Sequence, residues 1–261
     1  RMITSTSNQR IKEIVQLQKK NRARNTEGVF IVEGIRMVRE IPEDKLKALY
    51  VTEEFYKKHK AELPGNVKPE FVTPTVFSYI ADTKTPQGVL AIVWQNKYTL
   101  ADILKKGTEK KEMLLVLDNL QDPGNLGTIF RTAEAAGVTG IILSKDSVDI
   151  YNPKVIRSTM GAIFRMPFVY VEKLTDTIEE LKAHQIQVYA AHLDGKNAYD
   201  EECYLNGTAY LIGNEGNGLR QEVADCADTW IRIPMLGQAE SLNAAVAASI
   251  LMFEAARQRR K

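Results

Sequence analysis

Cysteine is scarce in this chain: among 261 residues there are only Cys203 and Cys226. Two thiols so far apart exclude a disulfide framework and a cysteine-built zinc site. Histidine is nearly as rare, and His59, His184 and His192 show no ligand spacing, so no metal is expected. No apolar run approaches the ~18 residues of a membrane span. The opening Arg1-Met-Ile-Thr-Ser has no apolar core of the signal-peptide kind. The expectation is a protein of a reducing compartment, the cytoplasm, with no membrane partner. Neither sign of charge dominates: the net charge is +2, too small to imply a polyanion partner by itself. Also missing are the G-x-G-x-x-G dinucleotide fingerprint, a P-loop, a nucleophile elbow and a Cys-His pairing.

What is present reads as a globular α/β chain, 44% hydrophobic and 26% charged. Charge is unevenly spread. Residues 1–26 carry Arg1, Arg10, Lys12, Lys19, Lys20, Arg22 and Arg24 against Glu13 alone. Phosphate backbones attract such an arm, though charge alone fits a solvated helix face equally well. Strand-like runs at 28–32, 48–51, 71–72 and 89–94 alternate with helical patterns at 33–41, 53–60 and 74–80. That predicts a small three-layer sandwich. A charged connection follows over 100–112. From Met113 onward, strands are predicted at 114–117, 140–143, 167–171, 187–191, 210–212 and 230–233. Helices are predicted at 126–136, 153–164, 175–184, 219–227 and 242–257. This alternation predicts a mainly parallel sheet with helices on both faces.

Three stretches could carry chemistry. The first is Asp122-Pro-Gly-Asn125-Leu-Gly-Thr-Ile-Phe-Arg131. Asn125 is a candidate cap for the helix and Gly137 a candidate terminator. Arg131, one turn beyond Gly127, puts a guanidinium near free backbone amides, which suits a phosphate. Pairing of Arg131 with Glu134 is the structural alternative. The second is Gly213-Asn-Glu215-Gly-Asn-Gly218, a polar loop closing an apolar strand, where α/β proteins place ligands. The third runs from Ile233-Pro-Met235 to Ser241-Leu242-Asn243 and an alanine-rich helix. Ser241 is its candidate cap, with Asn243 in the first turn.

Taken in order and spacing, the three stretches resemble the motifs of the SpoU family of RNA ribose methyltransferases, also called the TrmH family, within the SPOUT superfamily. The N-terminal part is similar to that family's substrate-binding domain, chiefly through Val29-Phe-Ile-Val-Glu-Gly34 and Thr85-Pro-Gln-Gly88. The resemblance implies an N-terminal RNA-binding domain over 1–98, a linker over 99–112 and a methyltransferase domain over 113–261. It implies that the C-terminal segment is threaded as a deep trefoil knot, against the usual avoidance of knots. S-adenosylmethionine is the implied cofactor, touching Gly213, Ile233 and Leu242, with Met235 and Ala191 nearby. Arg131 is the implied catalytic group, in a homodimer whose partner completes the site. Asn125, Glu215, Ser241 and Asn243 would orient it and the ribose. The expected partner is RNA, ribosomal before transfer RNA, held in part by Lys19, Lys20, Arg22 and Arg24. An inactive RNA-binding or ribosome-assembly protein on the same fold is the rival expectation.

Overall fold

A computed structural model describes residues 1–104 and 111–260. The predicted connection over 99–112 therefore lies partly outside the described residues. The chain forms two compact units, Arg1–Asn96 with Asp149–Phe164, and Lys97–Val148 with Arg165–Lys261.

The first unit is built on a five-stranded sheet of β1 (Met2–Ile3), β2 (Val29–Glu33), β3 (Leu46–Val51), β4 (Glu70–Val72) and β5 (Val89–Trp94), in the order β1-β4-β3-β5-β2. β5 pairs antiparallel with β2 and β3, while β4 runs parallel to β1 and β3. Side chains alternate across the pleat. Val29 and Ile31 pack with Ile11, Ile14 and Leu17 of one helix and Val76, Phe77 and Ile80 of another. Phe30 lies on the other face, its ring centroid 4.8 Å from Tyr151 and 6.3 Å from Phe164. Both faces are therefore covered, but part of the second cover comes from Asp149–Phe164, which lies outside the stretch whose alternation predicted the layers.

Two expectations fail in this unit. The single helix predicted over 153–164 stops after Pro153–Thr159, because Met160 and Gly161 take φ of 50° and 90°. Arg24 is not an RNA-binding residue. It is only 3% exposed, donates to the Leu17 carbonyl at 2.8 Å and pairs with Asp149 at 2.8 Å. It satisfies the last carbonyls of helix Gln9–Lys19, where a cation is favourable. Lys19, Lys20 and Arg22 remain exposed.

The second unit holds seven strands: β6 (Met113–Leu117), β7 (Gly140–Ser144), β8 (Phe168–Val171), β9 (Gln187–Ala191), β10 (Asn197–Ala198), β11 (Thr208–Ile212) and β12 (Thr229–Arg232). Their order is β10-β12-β9-β11-β6-β7-β8, and each pairing is parallel. Every residue of β6, β7 and β11 is buried, as expected for strands covered on both faces. On one face, Leu114, Val116, Val188 and Leu211 meet Leu174, Ile178 and Leu181 of helix Leu174–Ala183. Helix Ala244–Arg259 packs against helix Pro123–Ala136 and β11. Its last turn is pinned by Arg259, which donates to the carbonyls of Tyr204, Lys111, Glu112 and Asn206 at 2.8–3.0 Å. Among the described residues no helix is long and apolar enough to cross a membrane.

Candidate active site

The parallel register brings the carboxyl ends of β6, β11, β9 and β12 to one edge of the sheet. Leu117 is level with Ile212, Leu211 with Ala190, and Ala191 with Ile231. Gly213, Ala191 and the run into Ile233 thus leave three neighbouring strands side by side. Two glycines are fixed by close approach there. A Cβ on Gly213 would lie 2.2 Å from the backbone of Gly218 and Leu219, and one on Gly195 would lie 2.4 Å from that of Ile231. The 213–218 loop closes on itself through the Asn214–Gly218 bridge, and Asn214 Oδ1 accepts from the amides of Gly216 and Asn217.

The 213–220 loop is stitched to the 118–122 loop after β6. Both Glu215 carboxylate oxygens accept from the backbone amide of Gln121, at 2.7 and 3.1 Å, and from that of Asp122 at 3.3 Å. Asn214 Nδ2 donates to the Asn119 carbonyl at 2.8 Å. Asp118, 1% exposed, accepts from the Arg220 amide at 2.8 Å and from Arg220 Nε at 2.7 Å. Arg220 also reaches Asp146 at 2.9 Å. The Ser144 hydroxyl, and after it the Arg220 guanidinium, hold the Asp146 carboxyl below the usual carboxylate range.

Helix Pro123–Ala136 starts on this scaffold. Asp122 is its N-cap, accepting from the Asn125 amide at 2.8 Å, and Pro123 occupies the first turn. Asn125 lies inside the first turn instead of capping it. Its side-chain carbonyl receives Asn243 Nδ2 at 3.0 Å. Asn243 in turn caps helix Ala244–Arg259, accepting from Ala245 and Val246. Ser241, the predicted cap, is exposed two residues before it. Arg131 is exposed on the same helix as Asn125. It does not pair with Glu134, which pairs with Arg165 at 2.8 Å. Among the described residues the Arg131 side chain has no hydrogen-bond or ion-pair partner.

Residues 112–253 match the model of the SpoU rRNA Methylase family. The chain belongs to that family. Residues 8–91 match the MRM3-like substrate binding domain, so both units carry a family signature. The chain is 33% identical to the Bacillus subtilis 23S rRNA (guanosine(2553)-2'-O)-methyltransferase RlmP, over 97% of its own length and 98% of that protein's. It superposes on the rRNA methyltransferase of Sinorhizobium meliloti with a TM-score of 0.85 and 33% identity, covering 98% and 97% of the two chains. It is also similar to the SpoU methyltransferase AviRb of Streptomyces viridochromogenes in complex with AdoMet (TM-score 0.84, 27% identity, 97% and 98% covered).

In this SpoU-family chain the structure joins Asn125 to Asn243 and ties Glu215 to Gln121 and Asp122, at the start of the helix that carries Arg131. Gly213 and Ile233 follow β11 and β12, Ala191 ends β9 between them, and Leu242 directly precedes the Asn243 cap. Sequence reasoning missed Asp118, Arg220 and Asp146. The only sign was a carboxylate at the end of an entirely apolar strand, which must have a partner, with nothing to say which.

Proposed function

We propose that this protein methylates a ribose 2′-hydroxyl in RNA, ribosomal RNA before transfer RNA, with S-adenosylmethionine as donor. The observation that carries the reading is Arg131: an exposed guanidinium without a partner among the described residues, on a helix whose N-cap Asp122 is held by Glu215, in a chain with family-wide likeness to rRNA methyltransferases.

The residues present fit the cofactor. Among the described residues, none of 233–242 makes a hydrogen bond, and all but Ile233, Met235 and Leu242 are exposed, so this segment leaves backbone groups that a ligand could take over from water. Gly213, Ile233 and Leu242 would hold the cofactor, with Met235 and Ala191 beside them. When bound, it supplies an electrophilic methyl on a sulfonium. The chain must then seat the ribose, align its hydroxyl and manage one proton. Alignment is worth ~7–11 kcal/mol in favourable cases. A guanidinium keeps its proton in proteins, so Arg131 acts by gripping the target phosphate and favouring the developing alkoxide. The hydroxyl proton leaves to phosphate or water. Asn125, Ser241 and Asn243 orient the ribose, while Glu215 holds the loop from which the Arg131 helix starts.

Residues 1–98 would bind the RNA with help from Lys19, Lys20 and Arg22, and 113–261 would form the catalytic domain with a knotted C-terminal segment. A homodimer is supported by Val246 and Phe253, both large, apolar and nearly half exposed on the last helix, seven residues apart and so on one face. The cytoplasm suits a chain that keeps two free thiols.

The deciding experiment incubates the protein with labelled S-adenosylmethionine and total RNA, then maps ribose methylation. Wild type should modify a defined ribose, and Arg131→Ala should lose at least ~100-fold in turnover with cofactor affinity unchanged. Tight cofactor binding without transfer to any RNA would establish the inactive assembly-protein reading instead.

A further inference from the structure

Arg220 has no place in the chemistry just described, yet its backbone amide and guanidinium together engage two carboxylates. Its backbone amide and Nε both donate to buried Asp118, across 102 residues of sequence. Its other face reaches Asp146 at 2.9 Å, and Asp146 in turn accepts the Ser144 hydroxyl at 2.6 Å. Ser144 Oγ receives the amide of Asn119 at 2.8 Å, a residue held at φ 56°. The guanidinium therefore binds the last residue of the 213–220 loop to the first residue of the 118–122 loop and to the turn after β7.

The consequence lies at the far ends of the two loops. Glu215 can accept from Gln121 and Asp122 only if the loops are in register, and Asp122 caps the helix bearing Arg131. We propose that Arg220 is a positioning residue, a clasp that sets the cofactor-side loop in register with the Arg131 helix. It touches neither substrate nor cofactor in this scheme. The inference rests on the methyltransferase reading for its effect on rate, but the clasp itself does not.

The test uses the full chain with Arg220→Met, Arg220→Lys and Asp146→Asn. Amide hydrogen exchange is followed without ligands, single-turnover methyl transfer at saturating RNA and S-adenosylmethionine, and RNA affinity by filter binding. Arg220→Met should speed exchange at Gln121 and Asp122 by at least ~10-fold while the β6 amides stay protected. Its transfer rate should fall about 100-fold, the scale of a small misplacement of reacting groups, with RNA affinity within about 2-fold. Arg220→Lys, keeping the charge and the backbone donor, should recover about 10-fold of that rate. Asp146→Asn leaves the buried Asp118 contact intact, so it should fold if Arg220→Met does not and show the same pattern at about 3–10-fold. Unchanged exchange at Gln121 and Asp122 in a folded Arg220→Met or Asp146→Asn protein overturns the clasp. So does a loss in which the β6 amides loosen equally and Arg220→Lys does no better than Arg220→Met, since that pattern marks general stability alone. A wild-type chain that methylates no RNA would defeat the methyltransferase reading, and the exchange arm would still decide the clasp.

Discussion

Asn243 performs two tasks with one amide. Its oxygen caps helix Ala244–Arg259 and its nitrogen donates to Asn125. Two substitutions separate the tasks. Asn243→Ala should lose about 1 kcal/mol of stability, the usual cost of a lost cap, measured by urea unfolding. Asn243→Asp keeps an acceptor at a helix N-terminus, where negative charge is favoured, so stability should hold. It cannot donate to Asn125, so turnover should fall in both variants. Both caps lay near the predicted residues but not on them. Asp122 is marked by Pro123 after it, since proline favours the first helical turn; Asn125 matched on side-chain type alone. Arg24 shows a different limit. Its charge was legible, but its burial against Asp149 depends on a segment more than a hundred residues away. Arg24→Ala would strand a mostly buried Asp149 carboxylate (16% exposed). The expected cost is about 3–5 kcal/mol, seen as a lower unfolding midpoint, whereas exposed Lys19 and Lys20 should be replaceable within ~0.5 kcal/mol.

Among elements, the strands of the second unit were the most legible, because a strand buried on both faces is an unbroken apolar run. The helix predicted over 219–227 shrank to Gln221–Ala224. Arg220 is extended, with φ −62° and ψ 144°, because its amide is committed to Asp118. No local propensity reveals a tertiary contact of that kind. Where Asp146 joins this network its carboxyl is held below the ordinary range. The folded state binds that proton more weakly than the unfolded chain does. Its stabilisation is therefore complete above the unfolded value of about 4 and is lost as pH falls through the lower folded value. Asp146→Asn should flatten the acid limb of the stability curve below about pH 4, read by denaturant midpoints at successive pH. The last helix depends on Arg259. Arg259→Gln should cost about 1.5–3 kcal/mol, the range for hydrogen bonds to a charged group, and should raise exchange in its final turn first.

For the whole molecule, the ordered motif set made the family readable, while surfaces were not. That Asp149–Phe164 belongs with Arg1–Asn96 depends on packing through space. The basic arm offers a measurable test of the RNA reading. Replacing Lys19, Lys20 and Arg22 together by alanine should weaken RNA binding and flatten its dependence on log salt by about 0.7 for each lost contact to a single strand. Unchanged slope would remove the arm from the interface. Phe253→Asp should shift sedimentation from dimer to monomer if the last helix is the subunit contact.

The position of β11 has a consequence for biosynthesis. It lies between β6 and β9, both of which leave the ribosome before it. Until residues 208–212 emerge, a nascent chain carries the unpaired inner edge of β6 and both unpaired edges of β9, the kind that recruit other chains. Distant pairings of this sort also form slowly. Chaperone demand should therefore peak late in translation, and a released fragment ending just short of Thr208 should be more aggregation-prone than one ending a few residues after Ile212.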